Sequence, residues 1–259
     1  MKKILQILFL IPVLYMIIVP FFISASASSR LCSRVSINII DSSDYNFVTK
    51  SQLLNLVYSN GGKIIGMPVK EIKMTDIENR INDLRELKEA EVYTSIDGTL
   101  HVYIDQRNPV MRVIPDEGGD YFIDEDGFVF RRRSLYNPRL HIVEGNIDIT
   151  PAMLDRVSIL DTSIKNTILK DVYNFVSYIN SSSFWSAQID QIYVDRKDEI
   201  DLIPRVGNHI IHLGTFEDYR DKLRNLNAFY DKVLPEVGWN KYSVIDLEFR
   251  DQIVCKRRQ

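Results

Sequence analysis

His209 and His212 stand three residues apart, a spacing that could suggest a metal site. The residues around them alternate like a strand, and on a strand that spacing sends the two imidazoles to opposite faces. A structural role is therefore expected for both, and no metal site. Asp246 and Glu248 share one strand face, as paired catalytic carboxylates do. No partner acid can be placed opposite them, so an exposed polar face is expected. Asp124-Glu125-Asp126-Gly127 has the residue types of a calcium loop. With Gly127 sixth, the first position is Phe122 and the twelfth is Arg133, and the ligand pattern fails. The expectation there is a solvated acidic turn. G-x-S-x-G, the P-loop and G-x-G-x-x-G do not occur, nor does the set S-x-x-K, S-D-N and K-T-G. No catalytic residue and no cofactor is expected, and the chain does not read as an enzyme.

The remaining chemistry is charge and sulfur. Lys and Arg number 32 against 35 Asp and Glu, a formal net charge of -3. A general nucleic-acid binder carries a basic excess, so that class is excluded. Arg131-Arg132-Arg133 and Lys256-Arg257-Arg258 are short basic runs, expected as solvated faces. Two cysteines, Cys32 and Cys255, exclude a disulfide-stapled scaffold and an all-cysteine metal cage.

The elements that carry these residues start at a membrane. Residues 4–23 hold no charge and are mostly apolar. At about 1.5 Å per residue they span roughly 30 Å, the thickness of a bilayer's hydrocarbon core. A retained single-pass anchor is expected. The rival is a cleaved signal, with Lys2 and Lys3 before the run and Ala25-Ser26-Ala27 after it, but the run exceeds the usual signal core. The positive-inside rule slightly favours a cytoplasmic N-terminus, a stub of residues 1–3, and an exported body. Residues 24–33, rich in Ser and Ala, read as a tether.

Two soluble domains follow. Over residues 34–106 the order is strand, helix, helix, strand, strand. Thr49 with Gln52 forms a capping box and Val48 with Leu53 a hydrophobic staple. A second helix is expected from Thr75, with Glu78 as box partner, and Asp97-Gly98 turns a hairpin. Residues 107–255 alternate strands with helices. Pro109 marks the boundary, Asp124 to Gly127 turns a second hairpin, and Thr215 caps a last long helix. The chain closes with two strands, residues 242–249 and 253–255; in the first Ile245, Leu247 and Phe249 face one side, and Val244, Asp246 and Glu248 the other. Residues 256–259 are left as a tail. The fold class is α+β: one transmembrane helix, a β-α-α-β-β domain, then a mostly β domain with helices.

This order of parts resembles the bacterial division proteins of the FtsQ/DivIB family over almost the whole chain. Gln106-Arg107-Asn108-Pro109-Val110 is similar to the E-R-x-P-V that leaves the family's POTRA domain, with Gln in place of Glu. Residues 121–130 are similar to the hairpin written ylid-dG-vf, and Val143-Glu144-Gly145 fits the short strand after it. Leu213-Gly214, Lys222-Leu223 and Ile245-Asp246-Leu247 fit the C-terminal signature.

The resemblance implies a non-enzymatic divisome scaffold at the septum, held in the cell membrane with its body outside the cytoplasm. Its implied partners are FtsB/DivIC-like and FtsL-like bitopic proteins, and through them the septal peptidoglycan synthase. Recruitment is implied for the POTRA domain, and addition of a partner strand for the matching C-terminal segment, residues 242–255. The residues implied there are Tyr242, Val244, Asp246, Glu248, Phe249, Arg250, Asp251, Gln252 and Val254. Glu248 stands where well-known members carry Arg, which implies reversed charge pairing, and Gln252 replaces a turn glycine. The physics is independent of the family: an edge strand has unpaired backbone groups that a partner strand can take. Anchoring both partners in one membrane raises their effective concentration. Two other classes compete. A POTRA-bearing transport or outer-membrane assembly factor needs a barrel's worth of alternating strands, and an exported cell-wall enzyme needs a catalytic set.

Overall fold

A computed structural model describes residues 15–16, 30–40, 46–59, 63–133, 136–165, 167–250 and 252–258. The expected anchor, apart from Tyr15 and Met16, lies outside the described residues, as does most of the tether. Among the described residues no helix is long and apolar enough to cross a membrane. The chain divides into two compact units, Met1–Gln106 and Arg107–Gln259.

The first unit has β1 (Arg34–Ile39), α1 (Lys50–Tyr58), α2 (Met74–Asn82), β2 (Leu87–Thr94) and β3 (Thr99–Gln106). The sheet order is β1-β3-β2, with β1 parallel and β2 antiparallel to β3. A parallel neighbour requires the chain to cross over, and α1 and α2 occupy that crossover. Leu53, Val57, Ile77 and Ile81 from the helices share one core with Leu100, Val102 and Ile104 of β3. The box at α1 is present: Thr49 Oγ1 accepts from Gln52 N at 3.3 Å, and Gln52 Oε1 accepts from Thr49 N at 2.9 Å. Gln106 explains its own departure from Glu. Its Oε1 accepts from the backbone N–H of Phe47 and of Val48, at 3.1 and 3.3 Å, in a buried setting where a neutral amide oxygen costs less than a carboxylate.

Three local expectations for this unit are corrected. Residues 30–33 are not tether. Leu31 bridges Pro68, Cys32 is buried, and Val69 N donates to Arg30 O at 2.9 Å. Gly98 lies close beneath this stretch. A Cβ there would sit 2.4 Å from Leu31 O, and its φ of +81° also favours glycine. The α2 helix starts at Met74 without a side-chain cap. Glu78 is drawn away by tertiary structure, and its Oε2 accepts from Val92 N at 3.2 Å.

The second unit is one mixed sheet of nine strands, in the order β12-β11-β10-β9-β8-β7-β4-β5-β6. The elements are β4 (Pro109–Pro115), β5 (Tyr121–Asp124), β6 (Val129–Arg131), β7 (His141–Gly145), α3 (Pro151–Leu154), α4 (Ile168–Asn180), α5 (Ser183–Gln188), β8 (Ile189–Val194), β9 (Ile200–Pro204), β10 (Ile210–Gly214), α6 (Tyr219–Lys232), α7 (Leu234–Val237), β11 (Tyr242–Asp246) and β12 (Val254–Arg257). Val172, Phe175, Val176 and Ile179 of α4 and Leu223, Leu226 and Tyr230 of α6 join one core with Val113, Val143, Ile192, Leu202, Ile211 and Ile245 of the strands. The alternate positions on these strands, including Arg112, Glu144, Asp201, His212 and Asp246, are half-buried. The two-residue period thus separates a helix-covered face from a polar one.

The acidic turn is corrected. Asp124 is buried, and its Oδ2 accepts from Arg107 Nη1 at 2.6 Å. Its Oδ1 accepts from the N–H of Asp126 and Phe128, at 3.0 and 2.7 Å, which shapes the turn itself. The Arg107 guanidinium also lies 4.4 Å from the Phe128 ring centroid. Two stretches of the family resemblance, the domain exit and the hairpin, are thereby one buried ion pair. The last long helix begins at Tyr219 rather than at Thr215, with Asp218 in the left-handed region at φ 50°. Thr215 Oγ1 instead accepts from Glu217 N at 3.4 Å.

Candidate functional site: the C-terminal sheet edge

The last two strands form the site. β11 is parallel to β10, with Ile210 opposite Val244 and His212 opposite Asp246. It is antiparallel to β12, with Ile245 opposite Cys255 and Asp246 opposite Val254. β11 is therefore bonded on both sides. The expected second closing strand is β12, which is outermost, and the expectation corrected is the tail: Lys256 and Arg257 belong to β12. The reason is that β12 returns antiparallel to β11 and gives it a partner from its own sequence.

The proposed contact residues separate accordingly. Tyr242, Val244 and Asp246 sit on β11, half-buried, and Tyr242 packs 6.0 Å from the Phe229 ring. Val254 sits on β12 and is 44% exposed. Phe249 does not follow Ile245 and Leu247 into the core. The strand ends at Asp246, and Phe249 turns outward, 47% exposed, within the returning segment. Glu248, Phe249, Arg250 and Gln252 line an open groove of about 460 Å³ against the start of α6. Asp251 lies outside the described residues. Two apolar side chains that face solvent, Phe249 before the edge strand and Val254 on it, thus accompany its cations Lys256 and Arg257. Arg258 holds the strand's end, donating from its side chain to Asn208 O and from its backbone to Lys241 O. Cys255 and Cys32 are both free thiols, and burial pushes the Cys255 thiol up.

Behind the edge lies a polar row that the spacing of the histidines conceals. His209 is buried beside Tyr230, 2.8 Å from its Oη, and burial lowers its pKa and raises that of Tyr230. His212 lies on β10, and its Nδ1 is 2.7 Å from Asp201 Oδ1 on β9. Asp246 on β11 is its register partner on the other side. Glu248 Oε2 is 4.0 Å from His212 Nε2, and Asp246 Oδ1 accepts from Glu248 N at 2.9 Å. Asp246 and Glu248 therefore do face another titratable group, an imidazole with a carboxylate behind it. Burial opposes the charge of His212, but the Asp201 hydrogen bond and the charges of Asp201, Asp246 and Glu199 outweigh it and raise its pKa. The sequence signal was one polar residue at matching positions in three strands, in Ile-Asp-Leu, Ile-His-Leu and Ile-Asp-Leu. Only the sheet order brings those positions together.

Two family models match. The model described as POTRA-like domain covers residues 30–105, and that described as FtsQ/DivIB, C-terminal related, covers residues 108–256. No curated protein matches the chain. With the second model covering more than half of the 259 residues and the first covering the unit before it, the chain belongs to the FtsQ/DivIB family, a family of cell division.

Proposed function

We propose that this chain is a non-enzymatic scaffold of the divisome, acting in septation. It docks membrane division proteins by accepting a strand at the outer edge of β12. The observation that carries the reading is that edge: four residues, mostly exposed, at the end of a sheet whose other strands are paired on both sides or packed. Both matched families are non-catalytic, which supports a scaffold over an enzyme. A partner strand would take the unused backbone groups of β12, with Phe249 and Val254 as apolar contacts and Lys256 and Arg257 selecting for acidic side chains.

The partners in this reading are FtsB/DivIC-like and FtsL-like bitopic proteins and, through them, the septal peptidoglycan synthase. The POTRA-like unit recruits, and residues 4–23 anchor the chain in the cell membrane with both units outside the cytoplasm. The test is depletion in cells followed by microscopy, with rescue by the full chain or by Val254→Pro. Depletion is expected to give unseptated filaments. The Pro variant, expressed and folded, is expected to fail to restore septa. Normal septa on depletion would overturn the reading.

A further inference from the structure

The polar row beside the edge has the makings of a cation site. One ring nitrogen of His212 and one carboxylate oxygen each from Asp246 and Glu248 lie within 4.8 Å of one another, with Nε2 4.0 Å from Glu248 Oε2. Ligands about 2.0 Å from a tetrahedral ion are roughly 3.3 Å apart, so closure needs a shift of up to about 1.5 Å. Glu248 can supply part of it, because its side chain is 58% exposed. The other two ligands stand on adjacent paired strands and are fixed by register.

The fourth member does not ligate. Asp201 holds Nδ1 of His212 at 2.7 Å, which fixes the ring and leaves Nε2 facing Glu248, 4.0 Å away. A carboxylate behind the imidazole is how metal-bound histidines are usually oriented. Three carboxylates, Asp201, Asp246 and Glu248, stand about the imidazole, and the charge of Lys222 acts on two of them. Lys222 directs its ammonium at carbonyls, Leu213 O and Thr215 O, both at 2.9 Å.

We propose that His212, Asp246 and Glu248 bind one divalent transition-metal ion, with Asp201 as positioning residue and water completing the shell. An imidazole among two carboxylates selects zinc-like ions over calcium or magnesium, which prefer oxygen alone. The ion would tie β10 and β11 to the segment that returns into β12. The site does not depend on the docking reading and is tested without a partner.

The test is calorimetric titration of zinc into the full-length, chelator-stripped protein. One ion per chain is expected, with micromolar or tighter affinity. Glu248→Gln, on an exposed side chain that cannot unfold the sheet, should weaken it at least tenfold. His212→Gln should weaken it further. Asp201→Asn, which removes no ligand, should cost about 10- to 100-fold. Cobalt bound to the wild type should show the visible absorption of a four-coordinate ion, and His212→Gln should lose it. Affinity no better than millimolar, or tight binding that survives Glu248→Gln and His212→Gln, would overturn the proposal.

Discussion

The nine-stranded sheet has two edges, and they are built differently. β6, at one end, has three residues, and two of them, Val129 and Phe130, are buried. Phe130 packs on Phe122 at 5.6 Å between ring centroids. The chain around α3 lies beside it: Ile159 N donates to Gly127 O at 2.9 Å, and Ser158 Oγ donates to Asp126 O at 2.6 Å. Asp120, just before β5, receives both Arg112 and Arg132, at 2.7 and 3.0 Å. β12, at the other end, is a four-residue strand with exposed Val254, Lys256 and Arg257. A sheet edge left open invites pairing, and proteins usually shorten or cover it. This sheet buries side chains of one edge strand and exposes those of the other, so the exposed edge is a feature of one end rather than a general property of the fold.

Substitutions should separate the two ends. At the covered end, Arg107→Ala strands Asp124 as a buried, unpaired charge, and a loss of about 3–5 kcal/mol is expected in chemical denaturation. Phe130→Ala removes a buried ring and should cost a similar amount, about 3–5 kcal/mol. Losses below about 1 kcal/mol for either would mean that this end is not the packed one.

Acid should act at the covered end next. Burial opposes the ionised form of Asp120, but hydrogen bonds and charge from Arg112 and Arg132 outweigh it and lower its pKa below the ordinary 3.8. A depressed carboxylate contributes stability above its unfolded pKa and loses it as pH falls through the folded value. Asp120→Asn should therefore be less stable than the wild type near neutrality and should show a flatter decline below about pH 4. An unchanged acid titration of stability would remove Asp120 from the account. The smallest effect belongs to the open end. Val254→Ser should change stability by no more than about 0.5 kcal/mol, as at other exposed positions, while weakening partner binding in a pull-down from membranes. A large destabilisation without loss of binding would make Val254 a packing residue.

Local chemistry was legible in the sequence, and tertiary chemistry was not. The Thr49 box and the Asp97-Gly98 turn need only neighbours a few residues away, and both stand as expected. Thr75 and Thr215 carry the same kind of signal, yet neither starts its helix. Glu78 bonds across to β2, and the chain enters α6 through a left-handed Asp218. Asp124 read as solvated because Arg107 is 17 residues away. Alternation correctly put Ile245 and Leu247 inside, but it carried Phe249 with them because it cannot see where a strand stops. The parallel pairing of β11 with β10 was the least accessible, since it forms across the whole of α6. The row of Asp201, His212 and Asp246 was hidden for the same reason.

In the proposed docking, a partner adds its strand to β12. Amide hydrogen exchange of the full-length chain, with and without an FtsB/DivIC-like partner, reads it directly. Strand addition predicts new protection at residues 254–257, with β6 unchanged. Protection that appears elsewhere while the amides of β12 exchange as before would contradict it.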